Sequence, residues 1–162
     1  MRIISGKTAA LAAALAAVAA LVVPVGTASA STSDCTGGRN GFVDIPDNQD
    51  GYSAAWNSTI TIGNAEERLD LEFATIAGKT RGFAVLWADG TNGSGPPYVA
   101  FDSVWMDWTR DGGHTWIQCG PFGNPKGRAS ITSAAMVTNP STAWRFRAGA
   151  MAHGTMYLTD WY

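Results

Sequence analysis

From residue 42 onward the chain never runs far without a turn signal. Short β-branched and apolar runs are broken by clusters of Gly, Pro, Asn and Asp, and no stretch holds a helical period beyond about two turns. A chain punctuated in this way cannot lay down long helices, so its backbone groups must pair between strands. Leu69, Leu71 and Phe73 alternate with Asp70, Glu72 and Ala74, the period-two pattern of a strand with one face in a core and one in water. Strands are expected near residues 52–62, 68–77, 80–87, 98–109, 114–119, 129–138, 142–150 and 154–160. So many short strands in that length predict an all-β fold, a two-sheet immunoglobulin/fibronectin-like β-sandwich with one disulfide. A small barrel is the alternative.

The disulfide follows from compartment and cysteine usage together. Residues 1–30 have the features of an export leader: Arg2 and Lys7 at the start, an Ala/Leu/Val run from Ala9 to Val23, and Ala28-Ser29-Ala30 at the end. A membrane anchor would need about 20 apolar residues, and this run is shorter and closes on Pro24 and Gly26. Cleavage is expected after Ala30, leaving a single-domain chain of 132 residues that is secreted and extracellular. An exported protein meets an oxidising compartment, where its two cysteines, Cys35 and Cys119, are expected to bridge. By loop entropy such a bridge is worth about 4 kcal/mol. Two cysteines and two histidines, His114 and His153, so far apart match no zinc spacing, and no metal or cofactor is expected.

Without Arg2 and Lys7 nine basic residues face thirteen acidic ones, a net charge of −4. A nucleic-acid partner would need the opposite balance. No later stretch is long and apolar enough to span a bilayer, so no membrane partner is expected either. The polar segment 31–41 is expected to be flexible, with the sandwich occupying 42–162. Within it, Asp44–Gly51 lacks the EF-hand spacing and reads as a solvated turn. Gly90–Pro97 reads as a long hairpin connection.

The sharpest motif is Val104–Cys119, a hairpin around Asp111-Gly112-Gly113. A short loop would set Asp107 opposite Trp116 and Trp105 opposite Gln118. Val104, Met106 and Trp108 then share the core side with Thr115, Ile117 and Cys119, and Trp105, Asp107, His114, Trp116 and Gln118 face outward, unless a one-residue bulge intervenes. In Ala143–Ala148, Trp144 and Phe146 should point inward and Arg145 and Arg147 outward, on the strand beside Trp105. The outward set has two compatible readings. It is a recognition patch built on tryptophan, or a ladder in which Arg145 and Arg147 stack on Trp105 and Trp116 and pair with Asp107. Trp56, Trp87 and Trp161 read first as packing residues, with Trp161-Tyr162 sealing the last strand.

Catalysis has little to stand on. There is no G-x-S-x-G, no H-E-x-x-H and no cysteine left over after the bridge, so the chain is expected not to be an enzyme. Glycosidase carboxylates leave no spacing signature, and Asp70, Glu72, Asp102 and Asp107 are the residues among which a pair could sit.

Two resemblances attach to these residues. Thr109–Trp116 resembles the Asp-box of sialidase-type β-propellers, Ser/Thr-x-Asp-x-Gly-x-Thr-Trp, a structural turn that implies a hairpin rather than glycosidase chemistry. The Asp44-Ile-Pro-Asp47 run, Gln118-Cys-Gly-Pro-Phe122 and the closing Asp160-Trp-Tyr162 resemble the small adaptor (UmbB-like) subunits of Streptomyces umbrella toxin particles. That resemblance implies an actinobacterial, non-enzymatic connector between a large toxin-bearing repeat protein and a lectin-like subunit, in a particle used in competition between bacteria. The chain is therefore expected to be a secreted protein-binding adaptor. A secreted carbohydrate-binding module using Trp105 and Trp116 as its polysaccharide platform, and a secreted protease inhibitor, are the alternatives.

Overall fold

The structure, a computed structural model, describes residues 28–55, 58–63, 67–88, 102–123 and 129–162. Most of the leader, Trp56 and the Gly90–Pro97 loop lie outside the described residues. The protein is an all-β sandwich of two antiparallel-dominated sheets, tied by the Cys35–Cys119 disulfide. In chain order its strands are β1 (Ala28–Ala30), β2 (Phe42–Val43), β3 (Tyr52–Ser53), β4 (Thr59–Ile62), β5 (Glu67–Ile76), β6 (Lys79–Ala88), β7 (Ser103–Thr109), β8 (Ile117–Gly123), β9 (Ser130–Thr132), β10 (Ala135–Val137), β11 (Arg145–Ala152) and β12 (Thr155–Leu158). One short helix, α1 (Thr32–Thr36), precedes β2. The smaller sheet runs β1-β8-β7-β11-β12; the larger runs β2-β10-β6-β5-β3, with β4 also on β5 and β9 also on β6.

The alternation in the sequence sets the layers. Leu69, Leu71, Ala84 and Leu86 of the larger sheet meet Val104, Met106, Trp108, Phe146 and Ala148 of the smaller one in a common core. Trp144 packs on Trp108, ring centroids 4.7 Å apart, as the inward reading of Trp144 and Phe146 requires. Two hairpins turn on two residues each, Ala77-Gly78 and His153-Gly154. Both residues of each pair have positive φ, the backbone of a type I′ turn, which suits the strand twist.

Three expectations need correction, and a fourth needs an addition. Residues 129–138 form two strands because Ser133 bulges out, its N–H donating to the Ala84 carbonyl (2.9 Å) and its Oγ accepting from the Ala84 N–H (2.9 Å). Residues 52–62 likewise split into β3 and β4, both paired with β5. The segment 31–41, expected to be flexible, instead folds into α1 and a 3-10 turn, with Cys35 fully buried at the bridge. Asp44–Gly51 does turn in solvent, with Asp44, Pro46, Asn48 and Asp50 exposed and the Gln49 N–H donating to the Pro46 carbonyl (3.0 Å), and it also forms a strap over the outer face of the larger sheet. There Ile45 closes a second small core with Phe83, Val85 and Ala135. The strap is stitched down by Ser130 Oγ donating to the Asp47 carbonyl (2.6 Å) and by the Thr132 N–H donating to Asp47 Oδ1 (3.3 Å).

Candidate functional site

The outer face of the smaller sheet gathers most of the residues singled out above. β7 and β11 pair with Asp107 opposite Arg147 and Trp105 opposite Gly149. On the other side of β7, Asp107 lies opposite Gln118 and Trp108 opposite Ile117. The expected β7–β8 register is therefore off by two residues, because the connection spans Arg110–Trp116 rather than a tight turn. A two-residue slip preserves the faces, so Asp107, Trp116 and Gln118 stay outward.

Arg147 is the centre of the arrangement. Its Nε (3.0 Å) and Nη2 (2.5 Å) donate to the same oxygen of Asp107, Oδ2. Its guanidinium lies 5.4 Å from the Trp116 ring centroid and 4.5 Å from that of Trp161. The two indoles meet edge to face at 65°, centroids 6.1 Å apart. A weakly hydrated, planar cation suits such a slot. Asp107 is buried, and that burial pushes its carboxyl above the ordinary range against the pull of Arg147. The ladder expected from sequence exists, but with different rungs. Trp161, expected first to seal the last strand, replaces Trp105. Arg145 takes no part in the stack, and its Nε donates to the Thr142 carbonyl (2.9 Å).

Trp105 is the main correction. Expected at the surface, it is only 6% exposed. Opposite it, β8 carries an extra residue at Gly120-Pro121, since Val104 pairs with Phe122 and Met106 with Cys119. Its ring lies against the backbone of Gly149, where a Cβ would come within 2.2 Å of it. Gly-Pro inside a strand was the available sequence signal for that bulge. A sugar platform made of Trp105 and Trp116 is therefore not presented: one ring is covered and the other is stacked on an arginine.

What this face does offer is apolar. Met151 (37% exposed), Met156 (60%) and Leu158 (36%) sit together where β11 and β12 pair, with Met151 opposite Met156 and Leu158 opposite Gly149. They continue outward from the Trp105 floor. Sequence reasoning passed over them because single methionines carry no motif; their common face becomes visible only through the β11–β12 register.

His114 stands exposed at the hairpin tip. The tip itself is closed by Thr109 and Asp111. Asp111 accepts from the Thr115 N–H (2.9 Å) and Thr115 Oγ1 (2.6 Å), bonds that hold its carboxyl well below the usual carboxylate range. The Thr109 hydroxyl lies between Asp111 Oδ1 (2.7 Å) and the Thr115 carbonyl (2.5 Å), and it accepts from the Gly113 N–H (3.1 Å). The Asp-box resemblance thus corresponds to a hydrogen-bonded turn.

The acidic residues considered for catalysis are dispersed. Asp102 accepts from the His153 N–H (3.1 Å) and Asp107 holds Arg147. Asp70 and Glu72 do share the outer face of the larger sheet, where Arg68 Nε donates to Asp70 (2.6 Å) and Trp87 Nε1 to Glu72 (3.3 Å). Among the described residues, no group of three or more His, Cys, Asp or Glu is placed to hold a metal ion, and no helix is long and apolar enough to cross a membrane. Searches against protein-family models, characterised proteins and solved structures return no match for this chain.

Proposed function

We propose that this chain is a secreted, non-enzymatic protein-binding adaptor, the connector subunit of an extracellular antibacterial toxin particle of the umbrella type. The observation that carries the reading is the strip of Met151, Met156 and Leu158. These are large apolar side chains exposed side by side on a sheet face, beside a Trp–Arg–Trp stack. Contiguous exposed apolar surface is costly in water and marks contact sites for other proteins. Methionine and tryptophan are enriched at such sites and adapt well to a facing surface. A glycan site would present a free flat ring with polar side chains converging on it, and here the guanidinium of Arg147 fills the space between Trp116 and Trp161.

The test is capture of companions from the producing organism's culture medium by the tagged, processed protein. A larger exported protein should be retained in fixed ratio. The triple variant Met151→Ser, Met156→Ser, Leu158→Ser should lose at least roughly tenfold of that retention while keeping the parent's circular dichroism. Binding to insoluble polysaccharide, or retention indifferent to the triple variant, would refute the reading.

A further inference from the structure

The strand β1 consists of Ala28, Ser29 and Ala30, the last residues before the expected cleavage point, and it lies in parallel register on the outer edge of β8: Ala28 beside Ile117, Ser29 beside Gln118, Ala30 beside Cys119. Everything that fixes the following segment lies on the other side of the Ala30–Ser31 bond. The Ser31 carbonyl accepts from the N–H groups of Asp34 (3.0 Å) and Cys35 (3.1 Å), and Ser31 Oγ accepts from Asp34 N–H (3.2 Å). Thr32 Oγ1 donates to the Pro121 carbonyl on β8 (2.9 Å), and Cys35 is bonded to Cys119 in the middle of that strand. Loss of residues 1–30 would therefore strip β1 from the sheet and leave α1 capped and docked. It would turn Ile117–Cys119 into an edge with unpaired backbone groups. Pro121, which has no N–H, bounds that opening on one side, and the Asp111-centred turn bounds it on the other.

We infer that the β8 edge at Ile117–Cys119, covered by the leader's own last residues before processing, is afterwards a docking edge for an extended segment of another exported protein. That segment runs parallel to β8 in the backbone register that Ala28, Ser29 and Ala30 hold. Strand addition of this kind draws affinity from main-chain hydrogen bonds and selectivity from alternate side chains. Leader residues already in that geometry show which strand direction the edge accepts. The inference rests on the export and adaptor reading above and names a second contact region for it. This edge and the Met151/Met156/Leu158 strip lie at opposite margins of the same sheet.

The experiment begins with the intact mass of protein purified from the medium. A chain starting at Ser31 is expected; a chain starting at or before Ala28 overturns the processing reading and the inference with it. Amide hydrogen exchange at residues 117–119 is then followed in the Ser31 chain as a peptide of residues 24–30, Pro-Val-Gly-Thr-Ala-Ser-Ala, is added to millimolar concentration. Exchange there should slow by roughly fivefold or more as the peptide saturates. A peptide with proline at each position from 28 to 30 should have no effect. The Ala-Ser-Ala peptide should also displace the companion captured in the pull-down. No slowing at 117–119, or equal slowing by the proline peptide, overturns the inference. Protection that grows with protein concentration in the absence of peptide assigns the edge to a second copy and overturns it too. A companion that is captured but not displaced leaves the adaptor reading standing and removes this one.

Discussion

Gly149 decides where Trp105 can lie. With no side chain at 149 the indole rests on the β11 backbone, and a methyl group there would meet Cε2, Nε1 and Cζ2 at 2.2 to 2.5 Å. Relief would require the whole ring to move from a buried place, so Gly149→Ala should destabilise by roughly 2–3 kcal/mol, read as a lower denaturant midpoint. The companion variant Gly149→Ala, Trp105→Ala should not add the two single losses, because they act on one contact. Glu72 poses the opposite case, a side chain whose charge works against the fold. Burial is the main cause that raises its carboxyl above the ordinary value, with Asp70 adding to it, while the Trp87 indole and Arg68 pull the other way. Because the unfolded chain ionises first, stability falls as pH rises from the ordinary carboxylate range through the higher folded value. Glu72→Gln keeps an acceptor for Trp87 and never ionises. It should therefore raise the denaturant midpoint at pH 7 and give no gain below about pH 4, where glutamic acid is protonated in both states. A gain of equal size at both pH values would show that the charge is not the cause.

Among the elements, the β7–β8 hairpin shows what could be read in advance and what could not. Its existence, its apolar side and the outward placement of Asp107 and Trp116 follow from Asp111-Gly112-Gly113 and the period-two alternation. Its register does not, since seven residues of hydrogen-bonded connection look, by composition, much like a tight turn with two frayed strand ends. Trp105 keeps its place beside Asp107 on the outer face but is buried there against Gly149, a close approach that no residue type in β7 announces. The strap at Asp44–Gly51 escaped notice for a related reason: its carboxylates and Asn suggest water, and only the tertiary partners Ser130 and Thr132 pull it inward. In the hairpin tip the Thr109 hydroxyl is buried, shares its single proton between the Thr115 carbonyl and Asp111, and accepts from the Gly113 N–H. Thr109→Val keeps the shape and removes every one of those bonds, so it should cost about 1–3 kcal/mol. Asp111→Ala should lower the melting temperature at pH 7. Since hydrogen bonds depress the Asp111 carboxyl, its stabilisation is complete above the ordinary carboxylate range and is lost as pH falls below it. The gap between variant and parent should accordingly narrow in acid. A gap that stays constant to about pH 2 would mean that the loss comes from packing instead.

At the scale of the molecule, the bridge joins the segment before the first core strand to the smaller sheet across 84 residues of chain. It holds α1 against β8 at the margin where β1 now lies, while the chain's other end closes the opposite side of the same sheet. Tyr162 N–H donates to the Phe146 carbonyl (2.9 Å), and its own carbonyl accepts from Phe146 N–H (2.6 Å). That pair places Trp161 over Arg147. The two ends thus frame one sheet, and each end fixes a different part of its surface. The paired cysteines and the two-sheet class were legible from counting and spacing. Trp161 as part of the stack was not, because a residue beyond the last strand has no periodicity to place it. The consequences of losing each end should differ. Cys35→Ser with Cys119→Ser should lower stability by about 4 kcal/mol, mostly through the freer unfolded chain. It should release α1, increasing amide exchange along β8, yet leave the near-ultraviolet signal of the Trp116–Trp161 pair unchanged at temperatures where the variant is folded. Removing Trp161 and Tyr162 should do the reverse, abolishing that signal and loosening β11 near Phe146 without increasing exchange in α1. If both changes loosened both margins alike, the sheet would be one cooperative unit, and an adaptor that engages two partners through independent edges would be ruled out.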